Sequence, residues 1–554
     1  MNALNQQFII YTNQTIKQLN KLKRDLNQWS IWTILLTLFL AVPTLVIFVK
    51  LFAGPGETWG HFVEYLLLKY LSNSLYLAIT CSLLTIVLGV STAWWSTRYE
   101  FPLRKPLEWL LILPLAIPSY ITAYAYAGLL DYGGSLELIG RALSLPSFKI
   151  NIMNIHGLVF VLSISLYPYV YVACRAFFLH QSQNLIEAAQ VLGGSAKRNF
   201  FKLILPIARP AIVGGVILVL MEVLNDYGAA KYYGVNTFTT GIFKAWFGYE
   251  EIETAVYLAA LLLLMIFSLI FLEQWQRRRK KFTSQSKSRK PLKRIVPSKS
   301  KQLSLLFLTA LPAVLGFLIP VLQLLYWAFL TYESVMRDSF LTIALQSLFV
   351  AGVAAVACVL FAFLLLYSSH WNYLKGIKNL SKFGVLGYAI PGAVIAVGIY
   401  IPSLQIDRWL MRIFGSHIGL ILTGTAIALI YAYVVRFLAV AYNPISAGRE
   451  KIQSSLSEAS HSLGKGTLAT FFRIEFPLLR TALFSAMILV FIDVMKELPL
   501  TLLLKPYDVQ TLAVKAYEYA SDERIMETAL PSLLIVLMGV LPVVFLNKLV
   551  RNDK

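Results

Sequence analysis

Residues 187–209 read EAAQVLGGSAKRNFFKLILPIAR, and residues 458–480 read EASHSLGKGTLATFFRIEFPLLR. Glu187-Ala188, Gly193, Phe200-Phe201, Pro206 and Arg209 of the first stretch recur as Glu458-Ala459, Gly464, Phe471-Phe472, Pro477 and Arg480 of the second, each 271 positions on in a chain of 554. Both stretches lie among long apolar runs. A polar segment punctuated by Gly and Pro, repeated in a hydrophobic chain, points to a duplicated fold that offers two docking surfaces to the two halves of a partner.

Composition sets the class. Apolar residues make up 58% of the chain and charged residues only 14%, where a water-soluble domain carries roughly a quarter charged residues. Twelve apolar runs approach or exceed the roughly 20 residues needed to cross a bilayer, at 31–53, 71–97, 107–130, 156–178, 211–234, 253–273, 303–331, 341–368, 384–402, 417–442, 482–504 and 528–549. Hydrocarbon offers no partner to a bare backbone group, so spans must be helices or a closed barrel. The runs are too long and continuous for alternating barrel strands. The expectation is an all-α polytopic membrane protein of about twelve spans.

Net charge is +21, but its placement argues against nucleic acid. Residues 277–301 hold twelve Lys and Arg and no acid, and further basic clusters lie at 17–24, 98–105, 197–209, 375–382 and 548–554. With twelve spans and a cytoplasmic N-terminus, all fall on one side of the membrane, as the positive-inside rule requires. Both termini are then cytoplasmic. The basic, Ser-rich stretch 274–302 reads as a linker between a first unit at 31–273 and a second at 303–554, with 1–30 as a polar tail lacking a cleavage signal. Two six-span units in the same orientation imply a parallel repeat about an axis along the membrane normal. The cysteines, Cys81, Cys174 and Cys358, are scattered within the runs without metal or disulfide spacing. The six histidines do not cluster.

The repeated segment has a readable design. A short helical run to Leu192 ends at Gly193-Gly194, where a left-handed residue can close it. Ser195 can cap a second short helix that runs to Leu205, and Pro206 marks the bend into the next span. The small residues Ala188, Ala189 and Gly193 permit close approach by another protein. Glu458, Ala459, Gly464 and Pro477 occupy the corresponding places in the second copy.

This pattern, Glu-Ala-Ala, three residues, Gly, and later Leu-Pro, resembles the coupling motif of ABC importer permeases of the binding-protein-dependent class. The resemblance implies a type I permease fold of two pseudo-symmetric halves. It implies that each loop docks on one subunit of a homodimeric ATPase, which would hold the ATP and Mg. The second copy departs at Ser460, Phe476 and Thr481, where the first has Ala189, Leu205 and Pro210, so the two dockings need not be equal. The chain has no phosphate-binding loop of its own: Gly464-Lys465-Gly466-Thr467 lacks the first glycine and the right order. The residues alone leave open a separate ATPase or an ion gradient as the source of energy.

Ionisable residues inside spans cost roughly 3 kcal/mol each at the bilayer centre. Glu222 and Asp226 lie four apart in the fifth run, and Asp493 and Glu497 four apart in the eleventh, again 271 positions on. That spacing puts each pair on one helix face, and both faces could line a path between the halves. A ring of carboxylates, with the phenol of Tyr227 nearby, favours a hard cation bound in passing. Interhelical packing, with Lys496 neutralising a neighbour, is the competing reading. The strings Asp226-Tyr227-Gly228, Gly234 to Ile242, Lys244 to Phe247, Asp493 to Pro499 and Thr511 to Glu523 resemble the ferric-iron branch of these permeases. That resemblance implies a bacterial inner-membrane permease receiving ferric iron from an extracytoplasmic binding protein. Fused permeases for thiamine, and others for phosphonates, share the layout. A gradient-driven secondary transporter would leave the duplicated motif unexplained.

Overall fold

The computed structural model describes residues 28–131, 133–144, 150–180, 183–278, 293–337, 339–370, 375–415, 417 and 419–552. Residues 1–27 of the expected N-terminal tail and 279–292 of the expected linker lie outside the described residues. Among the described residues the regular elements are helical, apart from one isolated bridge between Tyr99 and Ile295.

The twelve predicted runs all return as helices, though not all as single rods. Among the described residues nine helices are long and apolar enough to cross a membrane, including Trp59–Arg98, Ile155–Leu179, Ala196–Asn225, Ala426–Glu450 and Phe471–Met495. The third and ninth spans are broken: Arg104–Ala116 meets Ser119–Ala142 at 96°, and Leu380–Ala389 meets Gly392–Phe414 at 116°. Pro118 and Pro391 sit at the breaks. Each lacks a helical N–H and drives its predecessor to extended backbone, with ψ of 118° at Ile117 and 128° at Ile390. The twelfth run forms Ala529–Asn552.

The duplication governs local structure closely. The helices Gln183–Val191 and Ser454–Ser462, Ala196–Asn199 and Thr467–Thr470, and the π-type turns Phe200–Ile204 and Phe471–Glu475 all correspond at the 271 spacing. The expected bend at Pro206 is absent. The second short helix runs on through the π-type turn into the fifth span. Leu205 N–H reaches back to Phe200 O, and this widened turn lets a proline enter without breaking the rod.

Each half lends its first span to the other. Gln28–Lys50 packs on Phe340–His370, Lys375–Gly384 and Gly392–Phe414, while Lys299–Arg337 packs on Leu67–Arg98, Ser119–Leu130 and Ile155–Leu179. Lipid tails are as apolar as leucine, so this exchange rests on close packing and hydrogen bonds. A Cβ at Gly398 would lie 2.4 Å from Pro43 O, and one at Gly128 would overlap the Trp327 ring. Tyr126 Oη donates to Leu315 O at 2.7 Å, and Tyr431 Oη to Phe39 O. The exchange welds the halves at their flanks and leaves the line between the fifth and eleventh spans as their inner seam.

Candidate functional site

A cavity of about 110 Å³ lies on that seam. Its walls come from repeat-related positions: Ser165 and Arg436, Glu222 and Asp493, Asn225 and Lys496, Asp226 and Glu497, Tyr227 and Leu498. The proline breaks contribute Pro118-Ser119 from the first half and Ile390-Pro391 from the second. All five path residues named from the sequence, Glu222, Asp226, Tyr227, Asp493 and Glu497, therefore line one chamber.

They do not reach it in the predicted way. The fifth and eleventh helices stop at Asn225 and Met495, so Asp226 and Glu497 do not share a helix face with Glu222 and Asp493. Gly228 and Pro499 open new short helices, Gly228–Tyr232 and Pro499–Leu504, and a carboxylate just upstream competes for the first free N–H groups. Asp226 Oδ1 accepts from Ala230 N–H at 3.0 Å, and its Oδ2 accepts from Ser119 Oγ. Glu497 Oε1 accepts from Leu500 N–H at 3.1 Å. The breaks turn these carboxylates into the chamber, where a continuous helix would have carried them past it.

The two halves differ in charge. Arg436 Nε stands 3.0 Å from Glu497 Oε2, an ion-pair distance, although the N–H is not aimed along that line; Arg436 Nη1 donates to Ile390 O at 3.1 Å. Lys496 Nζ lies 2.9 Å from Asp493 Oδ1. Among the described residues the first-half acids have no such ion pair: Glu222 Oε1 accepts from Tyr169 Oη at 3.4 Å, and Asp226 has a hydroxyl and an amide. The chamber holds four acids and two bases, and the two acids within ion-pair distance of a base, Asp493 and Glu497, both belong to the second half.

Two contacts bridge the halves beside the chamber. Gly392 N–H donates to Asn225 Oδ1 at 2.8 Å, and the hydroxyls of Tyr227 and Tyr517 meet at 3.0 Å. Tyr227 is also stacked on Phe243. Among the described residues no group of three or more His, Cys, Asp or Glu side chains gathers closely enough to hold a metal ion. The four carboxylates named as transient metal ligands stand around one space, each with its own protein partner.

Sequence reasoning missed Arg436, Ser119, Tyr169 and Tyr517. Arg436 carried a signal, being the single basic residue in the middle of the tenth run, 417–442, where a charge is costly without a role. Ser119 and Tyr169 are ordinary span residues and Tyr517 lies on the helix Leu512–Ser521 between two runs; only tertiary packing distinguishes the three. Removing the Arg436 head group should strand Glu497 as a buried charge. Arg436→Met is expected to destabilise the protein by about 3–5 kcal/mol, and a second change, Glu497→Gln, to recover most of that loss. Thermal unfolding in detergent, followed for both variants, measures it.

The duplicated loops follow the helices Ile155–Leu179 and Ala426–Glu450. Gly193 and Gly464 take left-handed φ of 77° and 73°. Beside them Gly194 N–H bonds Ala189 O at 2.9 Å and Lys465 N–H bonds Ser460 O at 3.1 Å, closing both first helices in the same way. Ser195 caps the next helix through Arg198 N–H. Glu187, Glu458 and Ala459 are exposed and Ala189 is half-buried; Ala188 lies in the helix Gln183–Val191, and its side chain lies outside the described residues. Pro206 and Pro477 occupy the first turns of the spans that follow. Each loop holds an apolar side chain in the open at its tip, Leu192 at 85% exposure and Leu463 at 80%, and Phe201 and Phe472 are likewise exposed. Apolar side chains repeated and exposed in the polar part of a membrane protein mark a surface shaped for contact.

The binding-protein-dependent transport system inner membrane component family matches this chain twice, over residues 85–281 and 377–553. The chain is similar to the Fe(3+)-transport system permease protein FbpB 2 of Haemophilus influenzae, 25% identical over 529 residues that cover 93% of this chain and 98% of the relative. The ferric transport system permease protein FbpB of Actinobacillus pleuropneumoniae is 25% identical over 546 residues, covering 91% of this chain and 75% of the relative. A shorter likeness, 29% identity over 159 residues, links 29% of the chain to 56% of the sulfate transport system permease protein CysT of Escherichia coli. Each matched stretch carries one copy of the loop and one wall of the chamber, and this chain belongs to the binding-protein-dependent transport system inner membrane component family, as a permease with both copies in one polypeptide.

Proposed function

We propose that the chain is the translocating subunit of an ATP-driven importer for ferric iron, delivered by an extracytoplasmic binding protein. The observation that carries this reading is the acid-lined chamber on the seam, to which each half contributes two acids at equivalent positions. Relatives that match nine-tenths of the chain are named for ferric transport, and an acidic chamber suits a cation better than the sulfate of the shorter match. Glu222, Asp226, Asp493, Glu497 and Tyr227 form the path, with the ion as cargo passed between carboxylates. A separate homodimeric ATPase, holding ATP and Mg, docks on the loops around Glu187-Ala188-Ala189-Gly193-Pro206 and Glu458-Ala459-Gly464-Pro477. In this reading 31–273 and 303–554 are the two permease units and 274–302 joins them. The loops, the linker and both termini face the cytoplasm of a bacterial cell, and the binding protein meets the opposite face.

No covalent chemistry falls to this chain. Its task is to couple a rocking of two halves to ATP turnover elsewhere, which requires two discrete arrangements of the seam. The cross-half bonds Asn225–Gly392 and Tyr227–Tyr517 are the contacts such rocking would break. Reconstitution in vesicles with the binding protein and the ATPase tests the whole reading. Radiolabelled iron should accumulate only when ATP, the ATPase and the loaded binding protein are all present. Uptake without the ATPase would instead support a gradient-driven carrier, and uptake of thiamine or sulfate in place of iron would overturn the cargo.

A further inference from the structure

The first coupling loop is tied to the chain that joins the halves, through a junction built on Arg98. This residue ends the second span and is only 6% exposed. Its Nη1 donates to Lys293 O at 2.7 Å and to Gln183 Oε1 at 3.1 Å. Gln183 is buried at the start of the loop helix Gln183–Val191. Its Oε1 also accepts from Lys293 N–H at 3.1 Å, and its Nε2 donates to Glu187 Oε1 at 3.1 Å. One residue further on, the backbone takes over. Glu100 N–H bonds Ile295 O and Ile295 N–H bonds Arg98 O, each at 2.9 Å, making the one bridge among the described residues. Arg294 Nε stands 3.7 Å from Glu100 Oε2.

The second loop is anchored differently. Ser460 Oγ and Thr470 Oγ1 meet at 2.8 Å within the loop itself. Glu475 accepts from Tyr367 Oη and faces Arg449 at 3.9 Å, all inside the second half. Arg449 and Glu475 stand, 271 positions on, where the first half has Phe178 and Ile204, and Tyr367 packs on Phe471 as Trp94 packs on Phe200. The asymmetry follows from the exchanged spans. Because Lys299–Arg337 crosses to pack on the first half, the segment leading into it must pass over the 98–100 turn, beside the first loop and not the second.

We propose that Arg98 and Gln183 are positioning residues that seat the segment 293–295 on the first coupling helix, so that the first ATPase socket is set by the position of the second half. A buried guanidinium bonded to both the segment and the helix moves them as one body, since breaking it would leave a charge desolvated and unpaired. Displacement of the exchanged span Lys299–Arg337, whose later part also packs on Ile525–Thr528 and Ala529–Asn552 of the second half, is then felt at Glu187 through Lys293 and Gln183. The ATPase dimer thereby reads the relation between halves at one socket.

This inference rests on the reading of both loops as ATPase contacts. Its test uses the full chain reconstituted with the ATPase and the binding protein. Arg98→Met keeps the stem and removes the donors. It should leave the ATPase bound but lower the stimulation of ATP hydrolysis by the iron-loaded binding protein at least about fivefold, the low end of typical coupling effects. Adding Tyr99→Cys and Ile295→Cys to that variant pins the segment by a disulfide across the bridge, a spacing that suits one. Lys293 N–H is then held on Gln183 again, so oxidation should restore stimulation to within about twofold, and reductant should remove it. Unchanged stimulation in Arg98→Met overturns the proposal, and so does a loss that the oxidised disulfide fails to restore. Failure of the unmodified chain to bind the ATPase is a separate outcome and removes the coupling reading itself.

Discussion

Iron uptake should fall by at least about tenfold in a chain carrying both Gly193→Val and Gly464→Val, with insertion and yield unchanged. The two glycines hold φ of 77° and 73°, and no atom lies within 4 Å of a Cβ built on either. Space is therefore not the obstacle; backbone conformation is. A left-handed residue with a Cβ costs roughly 1–2 kcal/mol, more when the side chain is β-branched. Each loop can escape that cost by unwinding its turn, which breaks the closing bonds from Gly194 to Ala189 and from Lys465 to Ser460. Leu192 and Leu463 then leave the positions in which they are presented. Two sockets each destabilised by about 1.4 kcal/mol lose tenfold in occupancy apiece. The same positions changed to asparagine, which tolerates left-handed backbone, should retain most of the uptake. Vesicle uptake for the wild type, the valine pair and the asparagine pair decides the matter. Normal transport by the valine pair would mean that the loops do not couple.

Much of this was legible in the sequence because it depends on local chemistry repeated twice. Gly193, Gly464 and Ser195 act through their own backbone preferences, and the spacing of 271 between the two glycines makes each of those readings check the other. The carboxylates were legible as costly charges in apolar runs. Their geometry was not: Asp226 and Glu497 read as helical by spacing, but the competition of a side chain with the backbone just before Gly228 and Pro499 ended the helix. The apolar runs 211–234 and 482–504 hid that break, because hydropathy reports depth in the membrane and not helical continuity. Arg436 was overlooked for a related reason, since its partner lies 61 positions away and no local pattern joins them. The exchanged first spans were invisible for a third reason. Lipid and protein are equally apolar to Gln28–Lys50, so the neighbour is chosen by the fit of Pro43 against Gly398 and of Trp327 against Gly128, and by the bonds from Tyr431 to Phe39 and Tyr126 to Leu315.

The second large effect concerns which half holds the cargo charge. In the second half, Arg436 and Lys496 already balance Glu497 and Asp493; in the first half, Glu222 and Asp226 meet hydroxyls and an amide. A cation entering the chamber is drawn to the acids whose charge is not already neutralised, because displacing a lysine or arginine would have to repay its desolvation. Glu222→Gln combined with Asp226→Asn keeps shape and most hydrogen-bonding capacity while removing both charges. One charge-assisted contact is worth about 1.5–3 kcal/mol, so this variant should lose at least about tenfold in uptake with little change in thermal stability. Glu497→Gln with Arg436→Met removes an ion pair as a unit and leaves the net charge of the chamber as it was. Its uptake should fall by less than about threefold, since replacing a whole buried pair is often near neutral. Iron uptake by both double variants, at matched amounts of inserted protein, separates the possibilities. Equal losses would mean that the chamber acts only through its overall shape. Undiminished uptake by the Glu222→Gln, Asp226→Asn chain would return those acids to packing between helices, and the cargo path would have to be sought elsewhere on the seam.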